Sequence, residues 1–136
     1  MIIAIDFDGT IVRQEHRYDD LESPLELTPG AREGLQALKA AGHRLILWSG
    51  RLASRGLLEE PREQSRKLNQ ARAAQMLEFV ELQLPGVFEA VDTGQAGKPI
   101  VDLFIDNQAI RYGHGPGGLS WPQIAGLFGE PERRGA

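Results

Sequence analysis

Two aspartates, one residue apart, follow a short apolar run near the start of the chain: Asp6 and Asp8, in the pentapeptide DFDGT. Carboxylates this close repel each other, and burying them costs desolvation energy. Residues two apart in an extended segment point the same way, so the two carboxylates share a side while Phe7 faces the apolar layer. A divalent cation would relieve the repulsion, and Mg²⁺ takes oxygen ligands. The pair predicts a hard-cation site with acid–base or nucleophilic chemistry; a turn held by local Asp and Gly hydrogen bonds is the alternative.

Four apolar runs predict the strands that must position this pair. They are Ile2–Ile5, Leu45–Trp48, Val87–Val91 and Val101–Ile105. Near-continuous apolar runs are typical of a sheet covered on both faces, and helical patterns separate the runs. This alternation predicts an α/β, three-layer Rossmann-like domain with a mostly parallel sheet and helices on both faces.

Three helices are expected between and after the strands. The first begins at Thr28-Pro29, read as an N-cap and a first-turn proline, and stops at Gly42. The second runs from about Glu63 to Leu82, and its inward stripe is expected at Ala73, Met76, Leu77 and Val80. The third follows Ser120, with inward residues expected at Ile124, Leu127 and Phe128.

Polar residues follow each predicted strand. Ligands of open parallel sheets bind outside the carboxyl ends of the strands. The residues expected to meet there are Asp6, Asp8, Ser49, Asp92 and Asp106.

Length and composition bound the class of protein. The chain has 136 residues, 41% hydrophobic and 25% charged, as in a soluble globular protein. We expect one domain over 1–130 and a frayed tail over 131–136. A net charge of −4 argues against nucleic acid as the main partner. The apolar runs are far shorter than the roughly 20 residues of a membrane span. No charged n-region precedes an apolar h-region, so we expect no signal peptide. The sequence also has no cysteine, and both points together lead us to expect a cytoplasmic location.

Four motifs resemble those of the haloacid dehalogenase (HAD) superfamily, whose members are mostly phosphatases. DFDGT looks like the first motif, LILWSGR like the second with its hydroxyl at Ser49, Lys98 like the third, and LFIDN like the fourth. The resemblance spans residues 1 to about 112. KPIVDLFIDNQAI is also similar to the KP-x-x-D-x-x-ID-D-R ending of small capless members, some of which are associated with capsular polysaccharide biosynthesis. Asn107 and Gln108 depart from that pattern.

The resemblance implies a role for each matched residue. Asp6 would be the nucleophile, and Asp8 the general acid and then the general base. Mg²⁺ would be held by the Asp6 carboxylate, the backbone carbonyl of Asp8 and Asp106. Ser49 would donate a hydrogen bond to a phosphoryl oxygen, and Lys98 would neutralise charge in the transition state. Substrate contacts are expected from Gly9, Thr10, Gly50 and Arg51.

Each of these assignments has a plainer alternative. Ser49 could cap the segment that starts at Gly50, and Lys98 could be a solvated loop residue. Asp106 could serve a strand-end turn, and Arg51 a surface ion pair.

These residues together predict a magnesium-dependent phosphomonoester hydrolase that works through an aspartyl-phosphate. Its substrate would be a sugar phosphate or another phosphorylated metabolite. The alternative is a non-enzymatic phosphoacceptor or ligand-binding domain on a similar open sheet, as in response-regulator receivers. The links Ile11–Leu27 and Gly50–Pro61 are too short to fold a cap domain. No membrane partner is expected, and a homo-oligomer is left open.

Overall fold

The computed structural model describes residues 1–14, 20–52, 63–92, 98–113 and 115–128 of the chain. The strands are β1 (Ile2–Ile5), β2 (Arg44–Trp48), β3 (Ala90–Asp92) and β4 (Leu103–Ile105). The helices are α1 (Ala31–Ala40), α2 (Glu63–Gln83) and α3 (Trp121–Phe128), with a 3₁₀ turn at Gly50–Leu52.

The four strands form one parallel sheet in the order β3-β2-β1-β4. Ile5 lies opposite both Leu47 and Ile105, so β1 and β4 end level with each other and β2 ends one residue further on. This confirms the predicted α/β Rossmann-like class, with β1 inside the sheet. The residues that follow β1, β2 and β4 therefore reach the same edge.

A continuous apolar cluster holds β1 in place. Its alternate residues Ile3 and Ile5 are each 1% exposed, and Leu45 and Leu47 of β2 are equally buried. They form one cluster with Leu35 of α1, with Met76 and Val80 of α2, and with Leu84, which directly follows α2. Burying one such side chain contributes roughly 1.5–3 kcal/mol, so the strand before Asp6 is firmly fixed.

The second helix has the expected extent, but one of its predicted inward residues is wrong. Met76, Val80 and Leu84 are buried, at intervals of four residues. Leu77 is 40% exposed. It lies about 100° further around the helix than Met76, which turns it away from the sheet.

The predicted start of α1 is also wrong. Gly30, in the left-handed conformation with φ 77°, occupies the N-cap, and no side chain caps the helix. The Thr28 hydroxyl instead donates to the carbonyl oxygens of Thr10 and Ile11, at 2.8 and 3.2 Å. The predicted stop is confirmed, because Gly42 follows the helix with φ 91°.

Strands β3 and β4 are shorter than predicted. Val87 lies before β3, yet it is buried in the core. In β4 the regular ladder starts only at Leu103. The reason lies at Asp102, whose side-chain oxygen accepts the N–H of Ile2 at 2.7 Å in place of a backbone carbonyl.

The third helix forms where expected, but two of its three predicted inward residues are wrong, whereas Ile124 is half-buried. Leu127 and Phe128 are 62% and 69% exposed. Apolar residues occur all around this helix, so their spacing does not select one buried side. The helix is held at its first residue, since the rings of Trp121 and Tyr112 stack with centroids 5.1 Å apart.

The link between β1 and α1 contains isolated bridges in its described part, Val12 pairing with Asp8 and with Leu27. The tail predicted to fray, 131–136, lies outside the described residues. None of the described helices combines the length and apolar character needed to cross a membrane.

Candidate functional site

The DFDGT segment folds into a tight turn directly after β1. The carbonyl oxygen of Phe7 accepts the N–H groups of Thr10, Ile11 and Val12. Gly9 has φ 78°, a backbone conformation that favours glycine. A Cβ at this position would also collide with the Asn107 side chain. The N–H groups of Gly9 and Thr10 are both used within this turn. Their predicted contacts with substrate therefore stay predictions.

The Thr10 side chain lies on the other side of the turn. Its hydroxyl oxygen is buried and meets no hydrogen-bond partner in the described part of the chain. It borders an apolar cavity of about 390 Å³ between α1 and the sheet, lined also by Ile5, Leu35 and Ile105. That cavity is the larger of the two discussed here, yet it presents no titratable side chain among its described lining residues.

Asp6 and Asp106 converge at the carboxyl edge of the sheet. The Asp6 N–H donates to the Ile105 carbonyl at 3.0 Å, which extends the β1–β4 ladder and brings the two aspartates side by side. Asn107 lies between them. With its amide nitrogen toward the carboxylates, as the hydrogen-bond network requires, it donates to Asp6 Oδ2 and Asp106 Oδ1, each at 3.3 Å.

Burial and like charge destabilise the ionised form of Asp6. Its pKa is raised from 3.8 to about 6, chiefly by desolvation and to a smaller extent by the negative charges of Asp106 and Asp8. A hydrogen bond from the Phe7 backbone acts in the opposite direction and lowers this pKa. A carboxylate in such surroundings gains most from a nearby positive charge.

The raised pKa predicts that Asp6→Asn stabilises the metal-free protein. Above pH 6 the ionised carboxylate destabilises the fold, and this cost disappears as the pH falls from about 6 towards 4, where the folded state holds the extra proton. The melting temperature at pH 7.5 in chelator should rise by roughly a few degrees, and the gain should shrink by pH 5. Asp102→Asn removes a charge at the opposite edge of the sheet and should give no such gain. A lower melting temperature for Asp6→Asn at pH 7.5 would contradict the prediction.

The donor atoms at this edge fit a hard cation. Asp6 and Asp106 offer carboxylate oxygens, and Asp8 would add its backbone carbonyl; Mg²⁺ prefers such oxygen ligands and retains waters. Across the described ranges, no three His, Cys, Asp or Glu side chains gather as a metal site. That result fits a set of two carboxylates and one carbonyl, because the Asp8 carboxylate is directed towards arginine.

Asp8 is held by two guanidinium groups. Arg51 donates from Nε to Asp8 Oδ2 at 2.9 Å and from Nη2 to Oδ1 at 2.8 Å. Arg72 Nη2 lies 3.7 Å from Oδ2. The Arg51 side chain is 7% exposed and that of Asp8 22%, so this is a largely buried ion pair. The alternative of a surface ion pair for Arg51 is therefore wrong, because the pair is largely buried. Its partner is Asp8, the predicted general acid.

The remaining donors of Arg51 fix its orientation. Nη1 donates to the Arg72 carbonyl at 3.1 Å and to Gln75 Oε1 at 2.9 Å. The guanidinium carbon lies 5.1 Å from the centre of the Phe7 ring, within cation–π range. Gln75 is in turn tied by its Nε2 to the Leu21 carbonyl at 3.3 Å.

A cavity of about 220 Å³ opens over these groups. Its lining includes Asp6, Asp8, Gln14, Gly50, Arg51, Arg72 and Gln108. Pockets for drug-sized ligands measure about 300–1,000 Å³, so this one suits a smaller molecule or the end of a larger one. Gly50 and Arg51 line this cavity, and their predicted contacts with substrate stay predictions.

Ser49 and Lys98 are placed differently. The Ser49 hydroxyl oxygen accepts the Arg51 N–H at 3.2 Å, which is the capping role considered above, although its proton can still be donated. The Lys98 ammonium lies over the Phe104 ring, 4.6 Å from its centre. Its predicted contact with a phosphoryl group stays a prediction.

The position of Asn107 between two carboxylates predicts how a negative charge at residue 107 would change the affinity for Mg²⁺. Asn107→Asp replaces a donor between two carboxylates with a third carboxylate, so Mg²⁺ binding should tighten by up to about tenfold, or ~1.4 kcal/mol. In chelator the variant should melt below the parent, since repulsion rises. Titration calorimetry with Mg²⁺ and thermal melts measure both effects.

Asn107→Ala is the control for this variant, because it removes the amide without adding charge and should not tighten binding. An unchanged Mg²⁺ affinity in Asn107→Asp would place residue 107 outside the metal shell.

Two residues at the site were missed from the sequence: Arg72 and Gln75. They lie three apart in α2, on the side of the helix that also carries Met76. Polar residues beside a buried helical position were the available signal, since side chains three and four apart share a face.

Comparisons with known proteins leave the activity open. No family model matches the chain, and no curated protein matches it. A solved structure from Bacteroides thetaiotaomicron, described as that of a conserved protein, is 32% identical. The alignment covers 95% of this chain and 89% of that one, with a TM-score of 0.44. That description names no activity, so the function must be argued from the residues of the site.

Proposed function

We propose that the protein is a magnesium-dependent phosphomonoester hydrolase of the HAD type, related to the small capless phosphatases. The observation that carries the proposal is the meeting of Asp6 and Asp106 at the carboxyl edge of the sheet, with Asp8 two residues beyond Asp6. The burial and the like-charge repulsion that raise the pKa of Asp6 support a role for a cation there. A cytoplasmic sugar phosphate or another small phosphorylated metabolite would be the substrate.

The chain supplies the groups for two displacement steps. In the first, an Asp6 oxygen attacks phosphorus, the bond to the leaving oxygen breaks, and protonated Asp8 gives that oxygen its proton. In the second, Asp8 takes a proton from water, which attacks phosphorus, releases inorganic phosphate and restores the Asp6 carboxylate. Bound Mg²⁺, held by Asp6, Asp106 and the Asp8 carbonyl, would supply positive charge that offsets the negative charge of the phosphoryl group.

One observation favours the alternative of a phosphoacceptor that does not turn over. The Asp8 carboxylate is paired with Arg51 through two hydrogen bonds, one to each of its oxygens, so it is directed at the guanidinium and not at a water or a leaving oxygen. If the pair persisted after phosphorylation, water would be activated slowly and the aspartyl-phosphate would accumulate. The two functions therefore differ in the lifetime of the phosphorylated protein.

Phosphate release from para-nitrophenyl phosphate tests the proposal, measured with Mg²⁺, with chelator, and after Mg²⁺ is restored. We expect release to stop in chelator and to return with Mg²⁺. Full activity in chelator would contradict the metal assignment. Labelled protein that stays phosphorylated for hours, with no release above background, would favour the phosphoacceptor.

A further inference from the structure

Arg51 presents a preformed receptor for a carboxylate. Its Nη1 is fixed by the Arg72 carbonyl and Gln75 Oε1, and its plane lies against the Phe7 ring. None of these contacts involves Asp8. The guanidinium would therefore keep its orientation if Asp8 turned away.

The other edge of this guanidinium, Nε and Nη2, is bound to Asp8, and both residues line the cavity of about 220 Å³. This edge makes two parallel hydrogen bonds, of 2.9 and 2.8 Å, with the two oxygens of one carboxylate. This two-bond geometry is specific for a planar oxyanion. Arg72 Nη2, 3.7 Å from the same carboxylate, adds a second positive charge.

Work by Asp8 at a leaving oxygen conflicts with this pairing, because its side chain would have to turn from Arg51 to reach that oxygen. Arg51, only 7% exposed, would then lose the anionic partner that it has among the described residues, which is strongly unfavourable for a buried cation. An anionic group on the ligand would remove that cost.

The position of the arginines indicates which part of the ligand carries that group. The phosphoryl group is bound at Asp6, whereas Asp8 serves the leaving oxygen. The guanidinium groups contact Asp8, so an anion bound to them belongs to the leaving group.

We infer that the substrate's leaving group carries a carboxylate, which replaces Asp8 on the Nε and Nη2 edge of Arg51. The substrate class is then a small phosphorylated hydroxy acid, and its binding frees Asp8 for proton transfer. The inference rests on the proposed function for its account of Asp8. The carboxylate receptor itself rests only on the contacts of Arg51.

A matched pair of ligands tests the inference: 2-phosphoglycolate and phosphoglycolamide. The second has the same shape and the same phosphate, but a neutral amide replaces the carboxylate. Binding is measured by titration calorimetry to the Asp6→Asn protein with Mg²⁺, so that no turnover is needed. We expect the acid to bind at least tenfold more tightly than the amide. In Arg51→Lys, which keeps the charge but loses the two-bond edge, this ratio should fall to about one.

Arg44→Lys is the matched control. Arg44 makes the same two-bond pair with Glu89, at 2.7 Å each, on the surface near the opposite edge of the sheet. This variant should keep the preference for the acid. Equal binding of acid and amide by the protein with Arg51 intact would overturn the inference without any need for the Arg51 variant to fold. Tighter binding of a bisphosphate than of the acid would also overturn it.

Turnover by the unmodified protein separates this inference from the proposed function. Release of phosphate from the amide and the acid at equal kcat/KM would sustain the hydrolase and overturn the inference. Arg51-dependent preference for the acid in binding, without phosphate release from any ester, would sustain the carboxylate receptor on Arg51 but overturn both the hydrolase and the assignment of the carboxylate to a leaving group.

Discussion

Asp6→Asn should lower phosphate release by several orders of magnitude while leaving the sheet intact. Asp6 is held by the Ile105 carbonyl at the end of a buried strand, so its carboxylate is fixed in position. An amide oxygen is a poor nucleophile, and the covalent step requires a good one. The measurements are kcat/KM for para-nitrophenyl phosphate and trapping of the phosphorylated protein after an acid quench.

Two further measurements make this result interpretable. Asp102→Asn, at the other edge of the sheet, should retain activity. The melting temperature of Asp6→Asn should not fall, because the raised pKa of Asp6 means that its ionised carboxylate destabilises the fold. Lost activity would therefore not reflect unfolding. Turnover near that of the parent would remove Asp6 from the nucleophile's role.

Asp8→Asn should slow reactions in proportion to how much the leaving oxygen needs a proton. Alkyl phosphates have basic leaving groups and should lose roughly 10²–10⁴-fold in rate, the usual contribution of a positioned acid. Aryl phosphates, whose leaving groups are stable as anions, should lose much less in the first step. The comparison uses kcat/KM for ethyl and para-nitrophenyl phosphate in the parent and the variant.

The same variant should also let the aspartyl-phosphate persist, because water loses its base in the second step. Rapid-quench measurements of phosphorylated protein test this point directly. Equal losses for alkyl and aryl esters, with no accumulation, would count against Asp8 as the acid and base.

The sequence predicted those parts of the fold that depend on local pattern. Ile2–Ile5 and the extent of α2 could be read from apolar spacing, since each buries a regular set of residues. Thr28 illustrates the limit. A hydroxyl residue before a proline favours an N-cap. In the structure the Thr28 hydroxyl instead donates to the carbonyl oxygens of Thr10 and Ile11.

The site shows the same division. Asp6, Asp8 and Asp106 could be placed together because strand ends of a parallel sheet share an edge. The pairing of Asp8 with Arg51 could not, since it joins residues 43 apart and depends on side-chain orientation. Gln75, which fixes that orientation, carries no sequence signal of its own beyond its place near Met76.

The order of the strands has a consequence for the newly made chain. Asp6 follows β1, the earliest of the described strands, whereas its neighbour Asp106 follows β4, the latest of them. Synthesis runs from β1 to β4, and a single domain generally folds as a unit, so the sheet stays incomplete until β4 has been made. The edge of β1 stays open until then, and the pair of carboxylates does not exist. Synthesis of β4 therefore closes the sheet and assembles the proposed cation site in one event, so the incomplete chain cannot bind the ion there before it folds.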